Sequence, residues 1–175
     1  TGSPITNTYN LISVQDASST SCSNLQTGTA VVKVNALPTA TIAGTVDVCQ
    51  NETQPSVTFE GAVGVAPYTF TYNVNGGANQ TVVSVGNTAT VLVPTSTSGN
   101  FIYNLVSVQD ASSTTCSNLQ SGSATVNVKP LPVVTATPSL ETICSGANTA
   151  VNLSSVPVNA TYAWTVVSNG ISGDA

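Results

Sequence analysis

"YNLVSVQDASSTTCSNLQSGSATVNV" spans Tyr103 to Val128, and "YNLISVQDASSTSCSNLQTGTAVVKV" spans Tyr9 to Val34. Each reads as strand, hydroxyl-rich loop, strand. Apolar side chains recur at period two on both sides of an Asp-Ala-Ser-Ser turn that carries a cysteine. Tyr9–Pro38 and Tyr103–Pro132 agree at 22 of 30 positions, and most of the differences are mild, such as Ile12 for Val106 and Ser21 for Thr115. The offset of 94 residues is one domain length, which separates this chain from solenoids with periods of about 20–50 residues. The expectation is a tandem array. Residues 1–38 supply the last strands (F and G) of one domain, 39–132 form a complete domain, and 133–175 begin a third.

The rest of the complete domain follows the same grammar. "TATIAGTVDV" (Thr39–Val48) reads as strand A, interrupted at Gly44. "SVTFEG" (Ser56–Gly61) reads as strand B, with Val57 and Phe59 on one face. "YTFTYNV" (Tyr68–Val74) places Tyr68, Phe70 and Tyr72 on one face. "NGG" (Asn75–Gly77) is a hairpin signal, because Asn and Gly tolerate positive φ. "QTVVSV" and "TATVLVP" are two more strands, split at Gly86-Asn87. Asn100–Asp110 is the long strand F, and Ser123–Pro130 is strand G. Seven short strands with turn signals between them predict an all-β fold of tandem immunoglobulin-like antiparallel β-sandwiches in a linear array. No stretch supplies crossover helices for a parallel sheet. In the third segment, Thr142–Val166 predicts strands A and B and then an aromatic strand C with Tyr162 and Trp164. The expected core includes Phe59, Phe70, Tyr103 and Trp164, and Tyr103 is placed to make a tyrosine-corner hydrogen bond.

Charge excludes several functions. Only 5% of residues are charged, net charge is −5, Lys33 and Lys129 are the only cations, and there is no His. Phosphate contact needs clustered Lys or Arg, so nucleic acid is not a partner, and anionic membrane surfaces are disfavoured. No apolar run reaches the ~18 residues of a membrane span. Proton transfer near neutral pH lacks its usual residue, and no G-x-S-x-G elbow activates any of the many hydroxyls. The seven carboxylates are scattered: Asp16, Asp47, Glu52, Glu60, Asp110, Glu141 and Asp174. The expectation is therefore a protein that is not an enzyme and has no cofactor, with at most a weak Ca²⁺ site at Asp110. A Lys–Asn isopeptide bond is set aside, because Lys33 aligns with Asn127 and Lys129 with Asn35. The sequons at Asn51, Asn79, Asn152 and Asn159 matter only in a eukaryotic secretory route.

Cys22 and Cys116 are repeat equivalents in the F–G loop, and Cys49 and Cys144 are near-equivalents between A and B. No metal spacing occurs. Three arrangements stay open. The first joins Cys49 to Cys116 within the complete domain, with Cys22 and Cys144 pairing outside these residues. The second joins Cys22 to Cys49 and Cys116 to Cys144. The third leaves free thiols.

"GVAPYTFTYNVNGG", "LPTATIAGT" and the Tyr103–Val128 stretch resemble the tandem repeats of giant cell-surface adhesins of gliding Bacteroidota, the SprB type. "TICSGANTAVNLSS" with "ATYAWTV" is similar to the PKD-like domain found beside such repeats. The resemblance implies an extracellular, bacterial-surface protein exported by the type IX route and used in adhesion or gliding motility. Its partners would be neighbouring repeats of the same chain and a surface or glycan target. No catalytic or ligand residue of that family maps onto these positions. Two alternatives come from other classes. One is a carbohydrate-binding or spacer module of a secreted hydrolase. The other is a strand-donating subunit, whose last strands complete the first sandwich of the next chain in a head-to-tail fibre.

Overall fold

The computed structural model describes residues 3–165 and 167. The chain divides into two compact units, Thr1–Val128 and Lys129–Ala175. The division falls at the end of the strand that the sequence reading labels G. The joint expected at Pro38 lies inside the first unit.

Within that unit, the first element is an antiparallel hairpin of β1 (Ile5–Gln15) and β2 (Ser23–Val34). The sandwich-like body follows. β3 (Thr39–Ala43), β5 (Ser56–Ala62) and β8 (Thr88–Leu92) make a three-stranded antiparallel sheet. The facing sheet runs β4–β11–β9–β6–β7, with β10 also on β9. Its members are β4 (Val46–Cys49), β6 (Thr69–Val74), β7 (Gln80–Val83), β9 (Gly99–Gln109), β10 (Ser117–Leu119) and β11 (Ser123–Lys129).

The alternation read from the sequence is what closes this body. Val57 and Phe59 enter from one sheet, and Tyr68, Phe70, Tyr72, Tyr103, Leu105, Val108, Ala124, Val126 and Val128 enter from or beside the other. Phe59 packs on Phe70 at 5.6 Å and on Tyr72 at 5.1 Å between ring centroids, and Tyr72 stacks on Tyr103 at 6.0 Å. Offset and tilted ring pairs at these spacings add to the area term.

Strand A is two strands. Gly44 takes φ +122°, and a Cβ there would stand 2.5 Å from the Ser56 carbonyl oxygen. The chain passes at this point from the β3 sheet to the β4 sheet, a step that a side chain would block. Val74-Asn75-Gly76-Gly77 closes with Gly77 N–H donating to the Val74 carbonyl at 2.9 Å. Asn75 and Gly76 have φ of 52° and 71°, the conformation that the Asn-Gly pair foretold. A bulge in β9 escaped the sequence reading. The pairing with β6 shifts between Thr71↔Ser107 and Tyr72↔Leu105, so Val106 is extra. It allows Leu105 and Val108, three positions apart, to enter the same core. The hairpin shifts at the matching place, between Leu11 and Ser13.

The second unit contains β12 (Val133–Thr137) paired antiparallel with β13 (Asn152–Val156). Of these, β13 falls within Thr142–Val166, where strands A and B are expected, and β12 precedes that stretch. The expected strand C does not form at Tyr162–Thr165, and Val166 lies outside the described residues. Trp164 is 73% exposed and is not a core residue. A Trp becomes core only where a second sheet covers it, and a lone two-stranded sheet has no interior.

Candidate functional site

The feature that both repeats share is the loop after strand F. In the complete body it is built on Asp110, which is only 4% exposed. Asp110 N–H donates to the Cys116 carbonyl at 3.0 Å, and Thr115 N–H donates to the Ser112 carbonyl at 2.8 Å. These two bonds hold Thr115 at φ 45°, which is unusual for a β-branched residue. The carboxylate fills the centre. Its Oδ1 accepts from Ser112 Oγ at 2.7 Å and from Ser112 N–H at 3.2 Å. Its Oδ2 accepts from Val65 N–H at 3.2 Å, which ties the loop between β5 and β6 to the loop between β9 and β10.

Gly64 lets this contact happen, since a Cβ there would lie 2.7 Å from the Asp110 Cβ. Gly64 N–H also donates to the Tyr68 hydroxyl at 3.1 Å. The backbone hydrogen bond expected of Tyr103 is thus made by Tyr68, because Tyr103 sits deep on β9 against the Tyr72 ring. Burial, and then the neighbouring Tyr72, push the Tyr103 hydroxyl above its ordinary pKa.

Burial is the largest single influence on Asp110 and pushes its pKa up. The donors from Ser112, Val65 and Cys116 together outweigh it, so the carboxyl sits below the ordinary 3.8. Asp16 repeats the arrangement in the hairpin, accepting from Ser18 Oγ at 2.7 Å and from Cys22 N–H at 2.9 Å. It too is held below the ordinary value, by Ser18 first. Asp16 is exposed, whereas Asp110 is buried under the Val63–Val65 loop. The two carboxylates share their Ser bonds; they differ in cover and in the cysteine N–H, which donates to Asp16 Oδ1 in the hairpin and to Ser112 Oγ in the body. Oδ1 of Asp110 faces an N–H and an O–H donor and Oδ2 an N–H donor, an arrangement that serves loop closure. Among the described residues, no three His, Cys, Asp or Glu side chains gather, and no helix is long and apolar enough to cross a membrane.

The cysteines are free thiols. Cys49 and Cys116 do not pair, although β4 and β11 are neighbours in one sheet. Cys49 lies at the end of the body where Asn51 N–H donates to Thr95 O and Val93 N–H to Pro55 O, just before β5 begins. Cys116 lies beyond the other end of β5, with Asp110 and Val65. Strand adjacency brought the sheets' edges together but left the two thiols at opposite ends. The Cys22–Cys49 and Cys116–Cys144 pairs are not formed either. Instead Cys116 Sγ lies 3.2 Å from Thr114 Oγ1, and Cys22 Sγ lies 3.3 Å from Thr20 Oγ1.

Of the expected core residues, Phe59, Phe70 and Tyr103 are buried together in the body, and Trp164 is apart from them. A search of protein-family models, of curated proteins and of solved structures finds no match to this chain.

Proposed function

We propose that the chain is a load-bearing segment of immunoglobulin-like repeats from a long bacterial cell-surface adhesin or filament, acting in adhesion or gliding motility. One observation carries this reading. The same strand–loop–strand unit recurs 94 residues apart, and in both copies the aspartate accepts from the Ser two positions on while its own N–H donates to the Cys carbonyl. Duplication at one domain length builds reach; it adds no reactive group. The resemblance to SprB-type surface repeats points the same way.

The surface chemistry fits a stalk. Outward positions on β6, β9 and β11 carry Thr69, Thr71, Asn73, Asn104, Thr125 and Asn127, which stay hydrated through hydroxyls and amides with little charge. The aromatic side chains of the body are turned inward, so it offers no flat aromatic face for stacking sugars. That favours the stalk over a carbohydrate-binding module.

An antibody raised against residues 39–132 should label intact producing cells and reduce their attachment to a surface. Labelling only after lysis, or labelling with no effect on attachment, would overturn the adhesive role. Binding of the chain to a glycan array would favour the carbohydrate module instead.

A further inference from the structure

Residues 35–38 join β2 to β3, and the body grips them from one side. Asn35 Nδ2 donates to Thr114 Oγ1 at 2.9 Å. Asn118 Nδ2 donates to the Pro38 carbonyl at 3.0 Å, and Ala40 N–H, just inside β3, donates to Gln120 Oε1 at 3.1 Å. The Pro38 ring is fully buried. The partners all come from one stretch, the loop before β10, β10 itself and the residue after it. Thr114 is itself seated, because its Oγ1 lies 3.4 Å from Ser112 Oγ, which donates to the buried Asp110. The carboxylate that closes the loop thereby orders the surface that receives the linker.

The grip falls where the linker could still bend. Pro38 fixes its own φ and keeps Leu37 extended. The remaining freedom is at Asn35 and Ala36, and the Asn35–Thr114 bond spans it. On the body side, β3 ends its three-stranded sheet and has β5 as its one ladder neighbour. Ala40 N–H is spent on Gln120 and so points away from β5. The Asn118 and Gln120 amides give this edge the donor and acceptor that another strand would give. Thr114, Asn118 and Gln120 recur 94 positions earlier as Thr20, Asn24 and Gln26, so the gripping residues belong to the repeated unit.

We infer that Thr114, Asn118 and Gln120 form a clamp on the entering linker, which makes the β1–β2 hairpin and the body turn as one rigid piece with no hinge at Pro38. Segments joined by a short linker move independently unless such contacts tie them. The clamp holds or fails apart from the adhesive role, since joint stiffness is read in solution and attachment is read on cells.

The experiment measures amide residual dipolar couplings of the full chain in a dilute aligned medium. In the wild type, couplings from β1 and β2 and couplings from the body should fit a single alignment tensor. Asn35→Ala removes the donor to Thr114, and Asn118→Asp sets an acceptor against the Pro38 carbonyl. In each variant the hairpin should align less than the body, and its amide nitrogen relaxation should report faster tumbling. Ser113→Ala, exposed in the same loop and without a bond to the linker, should keep the single tensor. Unchanged couplings within the body show that it stays folded. Asn35 lies outside the body, so Asn35→Ala decides the matter if Asn118→Asp unfolds it. Separate tensors in the wild type overturn the proposal. So does a single tensor kept in either folded variant, or a split in Ser113→Ala, which would mean that general order of the loop and not these bonds fixes the joint.

Discussion

The two aspartates give a perturbation with its own control. Asp110→Ala removes three hydrogen bonds to an ionised acceptor: two from Ser112, at 2.7 Å and 3.2 Å, and one from Val65 at 3.2 Å. Bonds to charged groups contribute roughly 1.5–3 kcal/mol each in favourable cases, and a donor left unpaired in a buried place costs about 1–3 kcal/mol. Water reaches the Ser112 donors once the loop loosens, which leaves the Val65 bond as the main loss. The net expectation is about 2 kcal/mol, or about 10 °C in the melting temperature of a domain this size. Asp16→Ala removes two bonds from Ser18 and one from the Cys22 N–H in the exposed hairpin, where no counterpart of Val65 is bonded. It should leave the main unfolding transition where it was.

Acid titration tests the same contact with an independent sign. The folded-state pKa of Asp110 is lowered, so its stabilisation is fully present above the unfolded value near 3.8 and is lost as pH falls through the folded value. Asp110→Asn should flatten that part of the stability–pH curve below about pH 4. Scanning calorimetry of the wild type and the three variants is the assay. Equal shifts for the Asp110 and Asp16 variants, or a shift under about 3 °C for Asp110→Ala, would refute the claim that cover and not loop geometry gives Asp110 its weight.

Other outcomes follow from the same packing. Phe59→Ala removes the ring shared by Phe70 and Tyr72 and should cost about 3–5 kcal/mol in denaturant unfolding, whereas Trp164→Ala should leave stability within about 0.5 kcal/mol. Gly61→Ala drives a Cβ to 2.5 Å from the Tyr68 ring and should destabilise by about 1–3 kcal/mol, read as a lower midpoint with an unchanged m-value. All four cysteines should react with a thiol reagent without prior reduction, with Cys116 the slowest because it alone is part-buried; fewer than four reactive thiols would show a disulfide.

Much of the body was legible in the linear order of residues. Alternation at Val57–Phe59 and Tyr68–Phe70–Tyr72, the Asn75-Gly76 turn and the break at Gly44 are local properties. Backbone sterics and side-chain period act over a few residues and leave their mark in any reading of them. The duplication at 94 residues is likewise sequence information in full. It makes Asp16 and Asp110 equivalent positions.

Tertiary contact decided the rest. The Cys49–Cys116 pairing failed because strand order fixes which edges meet, while the position of a residue along the sandwich axis depends on where each loop leaves it. Trp164 was taken for core from its place in an aromatic strand, but burial belongs to the covering sheet and not to the residue. Tyr9 and Tyr103 occupy equivalent positions in two nearly identical segments, yet one is bare and the other enclosed. Composition and period told which side chains want cover. Only the packed structure determined which of them have it, because cover comes from strands distant in sequence.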